Sequence, residues 1–245
     1  MKAILQRLSA IRYRGDRVEC PCCGGRFRRF VAGGVRRREG ARCPGCGSLE
    51  RHRLLWLFLE RFSTLYQKPY RVLHVAPEEQ LARHLARQPN LRYLSADLNS
   101  PIAMERVDLT RIPHANASFD VVLCCHVLEH IPDDRRAMRE LRRVLAPGGW
   151  GILQTPVHSI DRTVEDASVT DPAERRRRFG QPDHVRVYGR DFHDRLRAAG
   201  FRVHRIRWSI KELDPAEVER FGLRRGEAVV VVTPDPAAAP DGDPG

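Results

Sequence analysis

The stretch Ser118-Phe-Asp-Val-Val-Leu-Cys-Cys-His126-Val-Leu-Glu129-His130-Ile-Pro-Asp133-Asp-Arg-Arg-Ala-Met-Arg-Glu-Leu-Arg-Arg-Val-Leu145-Ala-Pro-Gly-Gly149 decides how the chain is read. Phe119–Cys125 is a strongly apolar run of strand length, the pattern of a strand covered on both faces. Over Asp133–Leu145 the apolar residues Met138, Leu141, Val144 and Leu145 recur at helical spacing. Ala146-Pro-Gly-Gly149 then supplies helix-terminating chemistry, because proline lacks an N–H and glycine accepts the turn that ends a helix. His126, Glu129 and His130 fall between strand and helix, just past the strand's carboxyl end.

The same alternation extends outward. Tyr70–Val75 reads as a buried strand, Glu78–Gln88 as a helix with Leu81 and Leu85 inward, and Leu91–Ala96 as a strand. Beyond the central stretch follow strands at Trp150–Gln154, Phe201–Trp208 and Glu227–Val232, with a helix at Arg190–Ala199 ended by Gly200. Strands alternating with helices predict an α/β fold, a parallel sheet with helices on both faces. Such sheets bind ligands outside the carboxyl ends of their strands, at the switch in strand order. The residues in that position are Ala76-Pro77-Glu78-Glu79, Asp97, Asp108-Leu109 and His126. Asp97 lies twenty positions beyond Pro77, an interval at which an acid can accept hydrogen bonds from ribose hydroxyls.

Five of the seven cysteines fall between positions 20 and 46. Cys20-Pro-Cys-Cys23-Gly and Cys43-Pro-Gly-Cys46-Gly are two C-x-x-C pairs separated by nineteen residues, the spacing of a four-thiolate zinc site. Two thiolates on one tight turn can both reach an ion at ~2.3 Å, and two turns complete a tetrahedron. Cys20, Cys23, Cys43 and Cys46 are therefore the expected ligands of a structural Zn²⁺, and Cys22 is the spare thiol. A closed four-thiolate site leaves no position for substrate, so the ion stabilises a segment too short to build its own core.

The chain has 245 residues, 42% of them hydrophobic, so wholesale disorder is excluded. Its longest apolar run, Leu54–Leu59, is far below the ~20 residues a membrane span needs, so no membrane partner is expected. Met1–Ala10 lacks the apolar stretch of a secretory signal, and a cytoplasmic protein is expected. The net charge is +12, and of 43 basic residues only Lys2, Lys68 and Lys211 are lysines. Arginine excess can attract RNA or can be a solvated surface. The expected division is 1–49 as a short basic amphipathic lead and zinc ribbon, 50–69 as a connecting helix, 70–233 as the α/β domain and 234–245 as a disordered tail. The helix, capped by Ser48, would pack through Leu54, Leu55, Trp56, Phe58, Leu59 and Phe62.

With strand, His-x-x-Glu-His turn, helix and Leu-x-Pro-Gly-Gly stop in this order, the chain resembles class I S-adenosylmethionine-dependent methyltransferases of the ubiquinone/menaquinone type over roughly residues 70–233. Together with the Cys-Pro-x-Cys-Gly pairs and Ser48-Leu-Glu-Arg-His-Arg-Leu-Leu-Trp56, it is similar to a bacterial subfamily carrying an N-terminal zinc ribbon. The resemblance implies a Rossmann-like seven-stranded sheet preceded by that ribbon, and S-adenosyl-L-methionine as cofactor. It implies that Val75, Ala76, Pro77 and Glu78 border the methionine end, Asp97 holds the ribose with Leu98 against adenine, Asp108 and Leu109 meet the adenine edge, and Cys125 and His126 lie under the sulfonium. One departure is that the first loop, usually glycine-rich, contains no glycine here.

A hydroxyl or amine acceptor must lose a proton around transfer, which suits a histidine. His126, then His130, are the candidate bases, with Glu129 orienting a histidine or taking the proton. Residues 155–188 read as a polar loop covering the substrate, with His184, Arg186 and Tyr188 presented to an acceptor and Arg175–Arg178 as a solvated face. The expected reaction is O- or N-methylation of a small molecule, a saccharide or secondary-metabolite intermediate. The alternatives are an RNA methyltransferase whose ribbon grips phosphate, and a catalytically silent scaffold.

Overall fold

The structure is a computed structural model that describes residues 2–35, 37–207 and 213–237. Residue 208, expected to end a strand, and residues 238–245 of the expected tail lie outside the described residues. The chain packs as two units. The first comprises Met1–Pro69, Glu78–Asn90 and Ile206–Val229, and the second Tyr70–Pro77, Leu91–Arg205 and Val230–Gly245.

The first unit opens with helix α1 (Lys2–Arg12) and two antiparallel ribbons, β1 (Arg14–Glu19) with β2 (Arg26–Phe27), and β3 (Val31–Gly33) with β4 (Arg38–Arg42). Helix α2 (Glu50–Phe62) follows, shorter than the sequence suggests. Its six consecutive residues Leu54–Leu59 are all buried, whereas Phe62, expected to pack inward, is exposed and stacks on Phe58. Ser48 does not cap this helix. Leu49 occupies the N-cap, and its N–H donates to His52 Nδ1 at 3.3 Å. The Ser48 hydroxyl is instead held 3.1 Å from Cys20 Sγ, because the buried thiols offer it partners in the ribbon.

Arg53 pins this unit together. It is fully buried and donates to the carbonyls of Ala41, Ser48, Phe221 and Gly222 at 2.7–3.1 Å, with its guanidinium 3.9 Å from the Phe30 ring centre. A guanidinium can be buried without an acid when several carbonyls accept its protons. A side chain on Gly222 would meet the Phe30 ring at 2.4 Å.

The second unit is built on the seven-stranded sheet. Its strands are β5 (Tyr70–Val75), β6 (Leu91–Asp97), β7 (Glu105–Arg106), β8 (Phe119–Cys125), β9 (Leu145–Gln154), β12 (Phe201–Ile206) and β13 (Val229–Pro234). Their order is β12-β13-β9-β8-β5-β6-β7. From β9 to β7 the pairings are parallel, and β13 runs antiparallel to β9. The sheet is therefore mixed and Rossmann-like, its last strand reversing the parallel pattern. Ala146-Pro-Gly-Gly149 ends the helix as expected but lies inside β9, where a register shift lets Phe119 pair with Leu145 and Val121 with Trp150. Arg71 ties β5 to β8 through two side-chain hydrogen bonds to Asp120 and a third from its own backbone N–H.

Helix α3 (Glu79–Leu85) buries Leu81 and Leu85 in the first unit. Helix α4 (Asp134–Val144) starts at Asp133, whose carboxylate accepts from the Arg136 N–H, and buries Ala137, Met138, Leu141 and Val144. With Phe192 and Leu196 of α6 (Phe192–Ala198) these line a core against Leu73, Val75, Val122 and Leu153. The region 155–188 is not a plain loop. It forms β10 (Val164–Glu165) paired with β11 (Arg186–Val187), and helix α5 (Pro172–Phe179). Arg175–Arg178 thus lie on a helix started by Asp171, where Arg177 pairs with Glu174 and Arg178 with Asp166. Helix α7 (Pro215–Arg220) completes the first unit.

Candidate functional site

The chain passes from β5 to β6 and β7 on one side, then returns to place β8 on the other side of β5. The switch point therefore lies beyond Val75 and Cys125, where ligands bind in such sheets. Ala76, the first residue past β5, takes φ +48 and donates its N–H to Ala96 O at 2.9 Å. This left-handed conformation is one that glycine adopts freely and alanine adopts at ~1–2 kcal/mol. The glycine-free loop has thus kept a glycine-type backbone. Pro77 is buried, and Glu78 is the N-cap of α3.

At the end of β6, Asp97 Oδ1 accepts the N–H groups of Asn99 and Ser100 at 2.7 and 2.6 Å. Its Oδ2 takes no bond from a described residue. Asp97, Leu98, Asn99, Ser100, Ala103, Glu105 and Arg106 line a cavity of about 250 Å³, and Leu98 exposes 46% of its surface. Asp108 accepts from the Thr110 N–H and hydroxyl, both at 2.8 Å, which hold its carboxyl below the ordinary range. Leu109 is buried in the core.

The turn after β8 carries the densest chemistry. Cys125 is half-buried at the strand end. His126 has φ +60, its N–H donates to Gln154 O at 2.7 Å, and its buried Nε2 has no partner among the described residues. A non-glycine residue in that conformation, with an unsatisfied ring nitrogen, is a feature that clusters at functional sites. Nδ1 of the same ring lies 3.5 Å from Glu129 Oε1, and the Thr155 hydroxyl donates to Glu129 Oε2 at 2.9 Å. Burial opposes ionisation of Glu129, but His126 and then Thr155 outweigh it and hold the carboxyl below its usual range. The Thr155–Glu129–His126 chain gives a histidine whose orientation is set by a buried carboxylate, the arrangement that prepares a ring to take a proton. Thr155 was not expected in this role. Its only sequence signal is its position, one past the end of β9.

His130 Nδ1 lies 3.3 Å from Asp183 Oδ2, and its ring contacts that of His184 edge-on at 4.7 Å. Glu129, His130 and His184 bring ligand-type atoms within 4.8 Å of one another. Each of the three has polar partners outside the trio: Thr155 and His126 for Glu129, Asp183 for His130, and Phe179 and Gln181 for His184. His184 Nδ1 donates to Phe179 O at 3.2 Å, so its Nε2 accepts from Gln181 at 2.8 Å. Burial, with His130 alongside, depresses the pKa of this ring.

Arg186 and Tyr188, expected to face an acceptor, are buried and engaged elsewhere. Arg186 donates to the carbonyls of Leu128, Ile131 and Pro132 and to Glu165. The Tyr188 hydroxyl donates to Asp134 Oδ2 at 2.6 Å. Arg195 joins both acids, and Glu165 is held at about 2, chiefly by Arg195 and then Arg186. A basic residue read as a ligand from sequence is here a clamp on residues 128–134, because three carbonyls of that turn converge on it.

In the first unit, Cys20, Cys23, Cys43 and Cys46 place their Sγ atoms within 4.8 Å of one another. The Cys20–Cys46 and Cys23–Cys43 separations are 3.6 and 3.8 Å. Thiolates at ~2.3 Å from one tetrahedral ion stand ~3.8 Å apart, so the donor set has the dimensions of a zinc site. Gly45 and Cys46 N–H groups point at Cys43 Sγ, at 3.3 and 3.5 Å.

Comparisons with known proteins agree with this architecture. A methyltransferase from Mesorhizobium loti described as S-adenosylmethionine dependent superposes with a TM-score of 0.50 at 16% identity, covering 72% of this chain and 96% of that one. A 60-residue segment is 40% identical to the 27-O-demethylrifamycin SV methyltransferase of Amycolatopsis mediterranei, covering 24% of this chain and 22% of that protein. An 87-residue segment is 30% identical to the ajmaline N-methyltransferase of Rauvolfia serpentina, covering 35% and 28%. A 70-residue segment is 33% identical to the ubiquinone biosynthesis O-methyltransferase of Albidiferax ferrireducens, covering 29% and 24%. These matches span less than a third of each relative's own length. Residues 45–153, which include β5, β6, β8 and the histidine-bearing turn, match the family model described as a methyltransferase domain, and the fold is that of the Mesorhizobium loti methyltransferase.

Proposed function

We propose that the protein transfers a methyl group from S-adenosyl-L-methionine to an oxygen or nitrogen of a small molecule, with a saccharide or a secondary-metabolite intermediate as the acceptor class. The observation that carries this reading is the left-handed His126 with its unpartnered Nε2, set by Glu129 and Thr155 at the switch point of a methyltransferase-type sheet. The names of the three relatives refer to small molecules, and two of them specify O- or N-methylation, which supports this acceptor class.

The cofactor, when bound, supplies an electrophilic methyl group on sulfur. The chain's own residues do the rest. Asp97 offers Oδ2 to a ribose hydroxyl while its Oδ1 keeps the turn rigid. Leu98 offers an apolar face to adenine, and Val75, Ala76 and Pro77 bring backbone close to the amino-acid end. Cys125 and His126 form the floor under the reacting carbon. His126 Nε2 takes the acceptor's proton, Glu129 stabilises the ring as it becomes charged, and Thr155 fixes Glu129. His130 and His184 shape the acceptor side, and Arg186 and Tyr188 position the 128–134 turn from behind. Glu78, Asp108 and Leu109 support this frame through a helix cap, a turn and the core.

Cys20, Cys23, Cys43 and Cys46 hold a structural zinc ion in this reading, supported by their separations. One zinc per chain in the purified protein, reduced by Cys43→Ser, checks it. Co-crystallisation with S-adenosylhomocysteine tests the methyltransferase reading: sulfur beside His126 and ribose on Asp97 are expected, and a nucleoside lodged elsewhere overturns it.

A further inference from the structure

Helix α1 is turned the wrong way round for a helix that belongs only to a water-soluble surface. Ile4, Leu8 and Ile11 recur at helical spacing, Leu5 widens their stripe, and these four side chains are 65%, 59%, 72% and 60% exposed in that order. Gln6, Ser9 and Ala10, the polar and small residues, are the half-buried ones. Gln6 lies toward the cysteine turns: it lines a cavity with Cys22 and Cys46, and a side chain on Gly47 would meet its Nε2 at 3.2 Å. An amphipathic helix ordinarily buries its apolar stripe against its own protein. Here that stripe faces outward.

The charge around the stripe indicates what covers it. Residues 1–15 contain Lys2, Arg7, Arg12 and Arg14 and no acid; Arg7 is exposed at one edge of the stripe, beside Ile11, and Arg12 is exposed between Leu8 and Leu5. A second copy of this helix would bring like charges together at close range. An RNA would satisfy the arginines and leave four aliphatic side chains in water. An anionic bilayer surface satisfies both sets at once. Aliphatic side chains enter the headgroup–acyl boundary, while guanidinium groups on their flexible stems reach lipid phosphates. We propose that α1 is a membrane-surface anchor, through which the protein binds reversibly to bilayers rich in anionic phospholipid. This departs from the expectation of no membrane partner, which rested on the lack of a spanning run: no described helix is long and apolar enough to cross a membrane, and α1, ~16 Å long, would lie on the surface.

The test uses the full-length protein and vesicles of phosphatidylcholine with or without ~30% phosphatidylglycerol. Co-sedimentation with the mixed vesicles is expected, at least tenfold weaker with phosphatidylcholine alone and weakened again by salt. Leu8→Ser combined with Ile11→Ser should reduce binding at least tenfold with an unchanged melting temperature. In Ile11→Trp, bromine-labelled lipid should quench the added indole fluorescence, a gain of signal independent of any loss of stability. The proposal is overturned by no retention at millimolar lipid, by equal binding of the double-serine variant, by indole fluorescence in Ile11→Trp that bromine leaves unquenched, or by a concentration-dependent dimer that the serine variant abolishes.

Discussion

Asp97→Asn is the sharpest probe of the proposed nucleoside site, because in that proposal the two carboxylate oxygens do different jobs. Oδ1 receives the Asn99 and Ser100 N–H groups at 2.7 and 2.6 Å and holds the turn after β6. An asparagine carbonyl oxygen can keep both bonds. In the proposed function Oδ2 is the oxygen that accepts from a ribose hydroxyl, and in asparagine an NH₂ that cannot accept takes its place. The variant therefore removes one hydrogen bond to a charged acceptor, worth ~1.5–3 kcal/mol, and spares the loop. At ~1.4 kcal/mol per decade, S-adenosylhomocysteine affinity should fall about 10- to 150-fold. Asp97→Ala would mix this effect with loss of the turn, itself about 1 kcal/mol. Titration calorimetry gives the affinity, and thermal melting of the free protein should move by less than about 2 °C. Unchanged affinity in Asp97→Asn with an intact melt would refute the ribose assignment, whatever the alanine variant does.

Ala76→Gly should stabilise the free protein by about 0.5–1 kcal/mol in urea unfolding, because relief of the left-handed alanine exceeds the added chain entropy of glycine; a loss of stability would show that the loop is held in another conformation. Glu129→Gln keeps an acceptor for Thr155 but removes the charge that supports a protonated His126, so kcat should drop about 10- to 100-fold with a smaller change in KM. A normal kcat in that variant removes Glu129 from the reaction. Acid sensitivity should have two arms. His184 has a depressed folded pKa, so its contribution is full above the ordinary histidine value of ~6.5 and is lost as pH falls below it. Glu165, at about 2 against an ordinary ~4.5, contributes above pH ~4.5 and loses that contribution as pH falls toward 2, by ~1–2 kcal/mol after screening of its partly exposed carboxylate. Melting curves from pH 7 to pH 3 check both, and Glu165→Gln should flatten only the lower arm.

Much of the frame was readable in the residues because it rests on local chemistry. Tyr70–Val75 and Phe119–Cys125 are strands over the ranges that their apolar runs predict, since a run of that length has few other ways to be buried. The thiol pairs cluster as their spacing requires, because a C-x-x-C turn is a short-range geometry. What the residues left open were matters of competition between distant groups. Ser48 reads as a cap, but buried thiols claimed its hydroxyl. Arg186 and Tyr188 read as ligands, but the carbonyls of the 128–132 turn and Asp134 claimed them. Sequence by itself determined the central strands, the helix after the histidine-bearing turn and the thiol turns, because periodicity and spacing act over a few residues, but not the short strands and helix within 155–188. Only the tertiary structure decided that Thr155 backs Glu129, that Ala76 and His126 take left-handed backbones, and that the aliphatic side of α1 faces outward, because each depends on which non-neighbouring atoms the folded chain brings within bonding distance.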